Sequence, residues 1–299
     1  MDKIGRVESM ITIREVNEDM VSVLIPPRRM RAKKGDNGTV LIVGGSKLYH
    51  GAPLLAALAA YRSGVDLVYV AVPESIAIPL RAYTPSIIVL PLPDSRLTKG
   101  SVNRLLDMLP KHVDAAAIGM GLSISRVEAL KELMINLTTE HNASLVLDAS
   151  ALMSSILEVV KGRDVVLTPH AGEFKRLFAV EVSDDLEERV SMVKEQAGKY
   201  TLTILLKGWV DVISNGNDTL VNNAHTPAMT VGGTGDILSG LLAGLLARGM
   251  RPLDASIASA YINGLAGINA YNRVGFHMMP TDMIDEIAYV MKRFDRLVE

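Results

Sequence analysis

A glycine-rich segment in the C-terminal part of the chain carries residue types that bind and transfer phosphate. It reads Thr-Pro-Ala-Met-Thr-Val-Gly-Gly-Thr-Gly-Asp over residues 226–236 and leads directly into an apolar run at 237–247. Three glycines in four positions let the backbone turn tightly and free its N–H groups, and the apolar run predicts a buried helix. Free amides at the positive end of a helix bind anions, here a phosphoryl group. Asp236 stands beside these amides, where its carboxylate can take the proton from a hydroxyl that attacks the bound phosphoryl group. The segment therefore predicts phosphoryl transfer to an alcohol.

Asp236 also fits a purely structural role. A carboxylate in the first turn of a helix can cap it or stabilise its dipole, and glycine turns before helices are common. Small residues downstream favour close packing of this helix on a neighbour: Ser239, Gly240, Ala243, Gly244 and Ala247. Both interpretations predict a helix that starts at the glycines and ends before Gly249 and Pro252.

The composition indicates an ordinary globular protein with a small-molecule ligand. The chain has 299 residues, of which 48% are hydrophobic and 21% charged, so it fits one large domain or two small ones. A net charge of -2 gives no general attraction to nucleic acid or to an anionic membrane. The lack of cysteine excludes disulfides, thiolate catalysis and cysteine metal sites.

We expect a lead-in segment at 1–33 and one α/β domain at 34–299. Charged residues are scattered through the first part, unlike the apolar core of a signal peptide, and no apolar run predicts a membrane span, so we expect a cytoplasmic protein. The lead-in ends in a basic cluster at 28–34. This cluster fits a solvated surface or, if Lys34 lies beside a nucleotide, a surface that attracts phosphates.

Short β-branched runs alternate with longer helical ones from residue 39 onward. Strands are predicted at 39–43, 66–72, 86–90, 114–118, 144–147, 164–167 and 201–206, and helices at 52–62, 100–109, 126–138, 171–178, 184–199, 253–271 and 281–293. Most of these strands are continuously apolar, as strands covered on both faces must be. The pattern predicts a doubly wound, mostly parallel α/β sheet flanked by helices, with a small antiparallel hairpin at 210–214 and 219–222.

Glycine and polar motifs follow five of the predicted strands. They are Gly44-Gly45-Ser46, Gly119-Met120-Gly121, Asp148, Thr168-Pro169-His170 and Lys207-Gly208. Ligands bind beyond the carboxyl ends of the strands in open α/β sheets, so we expect these motifs at one edge, together with the glycine-rich segment.

Taken together, these motifs resemble a known family, the nucleotide-dependent NAD(P)H-hydrate dehydratases of the ribokinase-like superfamily. The resemblance runs from about Lys34 to the end and rests on the following motifs, in chain order: Gly44-Gly45-Ser46, Gly51-Ala52-Pro53, Gly119-Met120-Gly121, residues 168–173, Lys207-Gly208 and residues 222–236. Many members carry an N-terminal epimerase domain. Too few residues precede Lys34 to hold one, so the chain resembles the stand-alone dehydratase.

The resemblance implies a repair reaction. The family restores NADH or NADPH from the S forms of NADHX and NADPHX, which are the reduced cofactors hydrated at a ring carbon. Hydroxide leaves poorly near neutral pH, so the hydroxyl is first phosphorylated and phosphate is then expelled. The implied donor is ADP, with ATP as the alternative, and Mg2+ is the implied metal. The family also implies a homo-oligomer, with a tetramer as its specific form.

The resemblance assigns roles to individual residues. Asp236 would activate the substrate hydroxyl, and Gly233, Thr234 and Gly235 would form the anion hole. Ala52, Gly121 and His170, with Asp236, would contact the hydrated cofactor. The nucleotide would be held by two segments: Lys207, Gly208, Trp209, Val210 and Asp211, and Thr226, Pro227, Ala228, Met229, Thr230, Val231, Gly232, Gly233, Thr234 and Gly235. Glu173 would organise Mg2+ through water.

Structural roles stay open for several of these residues. A lysine after a strand can stabilise a helix end, glycines can serve tight turns, and His170 can simply start a helix after Pro169. Glu173 can be a first-turn carboxylate that favours its own helix dipole. Three positions depart from the pattern: His170 stands where the superfamily has Asn, Asp211 where the family has Thr, and Lys33 where it has His. An acid at 211 is unfavourable beside a polyphosphate unless it faces ribose or metal.

Two other functions fit the same residues. A ribokinase-like kinase would phosphorylate a small alcohol or vitamin precursor at Asp236 and release a stable phosphorylated product. A nucleotide-binding regulatory module would keep its output when Asp236 is replaced by Asn, whereas catalysis would collapse.

Overall fold

A ten-stranded sheet forms the centre of the structure, a computed structural model that describes residues 13–299. The strands in chain order are β1 (Arg14–Glu15), β2 (Arg28–Arg29), β3 (Thr39–Val43), β4 (Leu67–Pro73), β5 (Ile88–Leu92), β6 (Ala115–Ile118), β7 (Ser144–Leu147), β8 (Val165–Leu167), β9 (Thr203–Leu206), β10 (Asp211–Ser214), β11 (Thr219–Asn222) and β12 (Leu297–Val298). All of them belong to this sheet except β2 and β12, which pair with each other. The α-helices are α1 (Glu18–Leu24), α2 (Gly51–Arg62), α3 (Glu74–Tyr83), α4 (Lys99–Met108), α5 (Val127–Thr139), α6 (Leu157–Val160), α7 (Ala171–Phe178), α8 (Leu186–Tyr200), α9 (Thr234–Ala247), α10 (Pro252–Val274) and α11 (Pro280–Lys292).

The strand order of this sheet creates a place for a ligand. The order is β1-β11-β10-β9-β8-β7-β6-β3-β4-β5, and all pairs from β9 to β5 are parallel. After β3 the chain moves outward through β4 to β5, and it then returns to pair β6 on the other side of β3 and continues to β9. The strand order therefore reverses direction between β3 and β6, and open α/β sheets bind ligands at such a switch point.

Helices cover both faces of the sheet. Alternate strand residues point to opposite faces, so Val40 and Ile42 of β3 pack under α2, α9, α10 and α11, whereas Leu41 and Val43 pack under α4, α5, α7 and α8. The antiparallel hairpin is formed by β10 and β11. The predicted doubly wound, mostly parallel α/β fold with a hairpin is confirmed.

Helix α9 is buried along its length and packs closely on α2. Every residue from Ile237 to Ala247 is buried. An added methyl group at Gly240 would overlap the carbonyl oxygen of Ala56, and one at Gly244 would overlap the Ser63 side chain. The predicted small-residue face therefore lets two helix backbones approach each other, which fixes where the start of α9 lies.

Helix α3 is present although the sequence pattern does not predict it. It lies between β4 and β5, and Pro79 stands inside it. Proline removes a backbone hydrogen bond and argues against a helix, but Ile76, Ala77 and Leu80 bury one face of α3 against the sheet. Here tertiary packing outweighs the local preference.

Two predicted strand starts are wrong by a few residues. The strand predicted from Thr201 begins at Thr203, because α8 runs to Tyr200 and Thr201 ends it in a left-handed conformation with φ 50°. The strand predicted at 86–90 occupies Ile88–Leu92. Both differences concern boundaries, where local pattern is weakest.

The N-terminal segment contributes edge elements. Strand β1 pairs with β11, and α1 ends before Pro26-Pro27. Lys34 is exposed and precedes β3, so it lies at the amino edge of the sheet, and the solvated interpretation of the basic cluster is the one that fits. Residues 1–12 of the predicted lead-in lie outside the described residues, and the division at 33 stays a prediction. Between residues 13 and 299, no helix combines the length and apolar character needed to cross a membrane.

Candidate active site

The predicted motifs follow five neighbouring strands at one edge of the sheet. Lys207 follows β9, His170 follows β8, Asp148 follows β7, the 119–121 glycines follow β6, and Gly44-Gly45-Ser46 follows β3. Backbone contacts join them, since Lys207 N donates to Pro169 O at 2.8 Å and Gly45 N donates to Met120 O at 2.8 Å. The expected gathering of these motifs at the carboxyl edge is confirmed.

Helix α9 begins at this edge with an open N-terminus. Gly233 caps it with φ 113°, a conformation that glycine adopts without strain, and no side chain of the described residues caps its first amides. Thr234 Oγ1 donates to Met229 O at 2.9 Å, which ties the helix start to the preceding 3₁₀ turn at Pro227–Thr230. The N–H groups of this first turn are available to an anion.

Asp236 is the third residue of α9 and has an unusual acidity. Burial, and then the negative charge of Asp148, raises the pKa of Asp236 to about 7, against the lowering effect of Lys207. The helix cap is Gly233, so Asp236 does not cap the helix itself. A carboxyl group with this pKa can accept a proton from a hydroxyl near neutral pH.

The Lys207 ammonium lies against the first turn of α9. A side chain at Gly235 would begin 3.4 Å from Lys207 Nζ. Nζ donates to Asp148 Oδ1 at 2.8 Å and lies 4.0 Å from Glu173 Oε2. Burial lowers the pKa of Lys207, but the charges of Asp148 and Glu173 raise it, and the net pKa lies above its ordinary value. Lys207 therefore carries a positive charge beside the open amides, as a phosphate site requires.

Asp148 is a site residue to which the sequence pattern assigns no role. It is 2% exposed, and its second carboxylate oxygen accepts from Ser239 Oγ of α9 at 2.8 Å. The sequence signal for Asp148 was its position as an acidic residue directly after an apolar strand. Its partners lie 59 and 91 residues away, so the contacts themselves depend on the fold.

His170 and Glu173 cap α7 together. His170 Nδ1 accepts from Gly172 N at 3.0 Å, and Glu173 accepts from His170 N at 2.9 Å. The His170 side chain is nonetheless 59% exposed, and the His170 backbone forms a β-bridge with that of Lys207. The structural role left open for these two residues is present, and the Glu173 oxygen that accepts from His170 N, Oε2, is also the one that lies 4.0 Å from Lys207 Nζ.

Residues 40–289 match the model of the family described as NAD(P)H-hydrate dehydratase. The chain belongs to this family. A protein of Nitrosopumilus maritimus named ADP-dependent (S)-NAD(P)H-hydrate dehydratase is 49% identical over 279 residues, which are 93% of this chain and 97% of that protein. A protein of the same name from Cenarchaeum symbiosum is 50% identical over 284 residues, 95% and 99% of the two chains. The crystal structure of the ADP/ATP-dependent NAD(P)H-hydrate dehydratase from Bacillus subtilis, co-crystallised with ATP/Mg2+, matches with a TM-score of 0.82 at 28% identity, covering 95% of this chain and 100% of that chain. The resemblance inferred from the motifs is confirmed.

Two of the substrate contacts predicted for a dehydratase of this family lie side by side at the switch point. A methyl group added at Gly121, where φ is 64°, would lie 3.2 Å from Cβ of Ala52 and 2.7 Å from Cβ of Tyr49. The bare backbone at Gly121 thus lets the loop before α2 approach the end of β6. Along the carboxyl edge of the sheet, Gly121 is separated from Lys207 by the ends of β7 and β8.

The loop predicted to hold the nucleotide in this dehydratase family member is bonded both within itself and to β11. Asp211 accepts from Gly208 N and from Asn222 Nδ2, each at 3.1 Å, and burial raises its pKa to about 6. Trp209 is 55% exposed and lies 6.0 Å from the buried guanidinium of Arg189. The Asp that replaces the family's Thr therefore holds the loop together, and the exposed indole is the loop's free surface.

The second predicted nucleotide segment, 226–235, and the residues just before it pack against α10. Added methyl groups at Gly264 and Gly267 would overlap Ala224 and Met229, so the backbones are in close contact. Ala228 and Val210, both in the predicted nucleotide segments, are buried.

A groove of about 680 Å³ lies at the opposite, amino edge of the sheet, where Asp114, Asp164 and Asp218 line it. None of the predicted site residues lines that groove.

Proposed function

We propose that this chain dehydrates the S forms of NADHX and NADPHX to NADH and NADPH, with ADP as phosphoryl donor. One observation carries the proposal: Asp236, with a pKa of about 7, stands in the first turn of α9, where the amides are open and the Lys207 ammonium lies close to Gly235. The names of the archaeal relatives, which are about half identical over nearly the whole chain, support the same reaction.

The reaction begins with transfer of the terminal phosphoryl group. The Asp236 carboxylate takes the proton of the substrate hydroxyl, whose oxygen forms a bond to the β-phosphorus of ADP while the bond from this phosphorus to the bridging oxygen breaks. AMP leaves with the bridging oxygen. Lys207 and the amides at 233–235 stabilise the negative charge that develops on the phosphoryl oxygens.

Elimination completes the repair. Electrons from the ring nitrogen expel phosphate from the hydroxylated carbon, and loss of a proton from the neighbouring ring carbon restores the double bond. The net change is loss of water from the substrate and cleavage of ADP to AMP and phosphate. Phosphorylation is needed because phosphate leaves far more readily than hydroxide near neutral pH.

The two ligands would occupy different parts of the row of strand ends. The nucleotide would lie at the β9 side, along the loop from Lys207 to Asp211 and the segment 226–235, with its base on the exposed Trp209. The hydrated nicotinamide would lie nearer the switch point, in contact with Ala52, Gly121 and His170. In this arrangement the two reacting groups meet at Asp236.

The described residues fit a magnesium ion held mainly by the nucleotide. Within residues 13–299 no group of three or more His, Asp or Glu side chains is placed to hold a metal ion. Mg2+ often keeps several waters and takes its other ligands from substrate phosphates and one or two carboxylates. Glu173 would hold it through water, and the ion would neutralise charge on the transferred phosphoryl group.

Restoration of reduced nicotinamide tests the proposal. Purified protein is mixed with S-NADHX, Mg2+ and ADP or ATP, and the absorbance of the reduced ring is followed. We expect one NADH, one AMP and one phosphate for each ADP, and no reaction without nucleotide or with the R form. A stable phosphorylated product without recovery of absorbance would instead indicate a kinase, and nucleotide binding without turnover would indicate a regulatory module.

The predicted homo-oligomer, with a tetramer as its specific form, is tested by light scattering. Exposed apolar side chains on α3, Ile78 and Tyr83, are consistent with a buried contact between copies of this chain. A mass of one chain at working concentration would contradict this prediction. The expected cytoplasmic location stays a prediction.

A further inference from the structure

Asp148 is a buried carboxylate whose two oxygens are both engaged. It is 2% exposed and follows β7, in the middle of the row of strand ends. One oxygen accepts from Lys207 Nζ and the other from Ser239 Oγ, each at 2.8 Å. A buried charge is stable only when it is paired and hydrogen-bonded in this manner.

These two bonds connect the two halves of the active site. Lys207 belongs to the nucleotide loop, whereas Ser239 belongs to α9, three residues after Asp236. Residues three apart in a helix lie on the same face, so the helix face that carries Asp236 is the one that Asp148 contacts. Asp148 therefore lies between the proposed base and the proposed phosphate-binding cation.

We propose that Asp148 is a positioning residue of the phosphoryl-transfer site, which fixes the Lys207 ammonium against the first turn of α9 and places a negative charge next to Asp236. The inference rests on the proposed function. It assigns Asp148 no contact with either ligand.

The backbone around Asp148 is constrained on both sides. Ala149 has φ 48°, a left-handed conformation that is uncommon for a residue with a side chain, and it starts a 3₁₀ turn. An added methyl group at Gly119 would overlap the carbonyl oxygen of Asp148, so the end of β6 lies directly against it. These contacts fix the place from which the carboxylate points at Lys207 and Ser239.

The charges in the site give this role a recognisable signature. The groups that act on Asp236 are Asp148, which raises its pKa, and Lys207, which lowers it. Lys207 in turn faces Asp148, Glu173 and Asp236, each of which raises the pKa of the ammonium. Removing the charge of Asp148 must therefore lower the pKa of the base and the pKa of the cation together.

The test is the pH dependence of kcat/KM for Asp148→Asn, measured with S-NADHX and ADP. Asparagine keeps the size and one accepting oxygen and removes the charge. We expect the acidic limb of the profile, which reports the ionisation of Asp236, to move to lower pH by about one unit. Asp114→Asn is the matched control, because Asp114 lies at the opposite edge and accepts from Thr39 N at 2.7 Å, and its profile should not move. A lower maximal kcat/KM without any shift of the profile along the pH axis would overturn the proposal.

A second measurement does not depend on turnover. Trp209 is the single tryptophan of the chain and lies in the nucleotide loop, so its fluorescence reports ADP binding. If Asp148 acts through Lys207, Asp148→Asn should weaken ADP binding about tenfold in the native background but less than twofold in a Lys207→Met background. Equal losses in both backgrounds would contradict the proposal.

Failure of the single variant to fold would not prevent the test. The double variant leaves no unpaired charge between positions 148 and 207, whereas Lys207→Met alone leaves the Asp148 carboxylate buried without its cation, so the double variant should be the more stable of the two in urea unfolding. It should bind ADP at least as tightly as Lys207→Met, and weaker binding by the double variant would overturn the inference. Absence of turnover in the native protein, with the binding pattern intact, would refute the dehydratase reaction and leave the positioning role standing.

Discussion

Replacing Asp236 by Asn should inactivate the protein and at the same time stabilise its fold. A carboxylate that is partly buried near another negative charge destabilises the folded state, which is why the pKa of Asp236 is raised to about 7 from 3.8. Asparagine has the same shape and no charge. The substitution removes this unfavourable charge, so loss of function and gain of stability are expected together.

The sign and size of the effect follow from the two pKa values. Because the folded pKa is the higher one, the ionised group destabilises the fold fully above pH about 7 and not at all below pH about 4. A pKa difference of about three units corresponds to a destabilisation of the fold by at most about 4 kcal/mol, and the partial exposure of Asp236 reduces this to about 1–3 kcal/mol. The variant should therefore be more stable than the native protein at pH 8, and the difference should shrink to less than about half at pH 5.

Urea unfolding at pH 5 and pH 8 measures this difference. If Asp236 instead serves the helix dipole, the charge is favourable, and Asn should reduce stability by about 0.3–1 kcal/mol at pH 8. The two interpretations predict opposite signs. A variant that is less stable than the native protein at pH 8 would refute the conclusion that the charge of Asp236 is held at a cost to the fold.

Three further substitutions test other parts of the structure. Gly240→Ala should reduce the free energy of unfolding by about 1–3 kcal/mol, because its methyl group would overlap the Ala56 carbonyl, whereas Gly100→Ala, with its nearest atom at 3.7 Å, should be neutral or stabilising; equal urea midpoints would contradict this. Lys207→Gln should raise the KM for ADP about tenfold in steady-state assays, since a charge-assisted phosphate contact is lost, and an unchanged KM would remove Lys207 from the nucleotide site. Glu173→Gln keeps an acceptor for the α7 cap and removes the charge, so the Mg2+ concentration for half-maximal rate should rise severalfold; a change in stability alone would leave Glu173 with only its capping role.

Most of the fold was predictable because its local and tertiary preferences agree. The continuously apolar runs became central strands, and the stretch 237–247 became a buried helix, as their patterns require. Helix α3 was not predicted because Pro79 conflicts with the local pattern and only packing of Ile76 and Leu80 against the sheet settles the conflict. Boundaries such as that at Thr201 depend on one residue's backbone conformation, which composition does not specify.

The candidate site was predictable as far as each residue's position at the end of a strand. Strand order brings Lys207, His170 and Asp148 to one edge, and the rule for open α/β sheets anticipates this. The pairing of Asp148 with Lys207 and Ser239 was not predictable, because it depends on how α9 packs across β7. The bond between Asp211 and Asn222 is of the same kind, since Asn222 comes from the next strand.

The turnover of Asp236→Asn, measured beside its ADP binding, tests the central claim most directly. We expect kcat with S-NADHX and ADP to fall about a thousandfold, because the hydroxyl loses its proton acceptor, while Trp209 fluorescence gives an ADP affinity within about threefold of the native value. Turnover within about tenfold of the native protein, with ADP bound as well as before, would show that Asp236 is not the base.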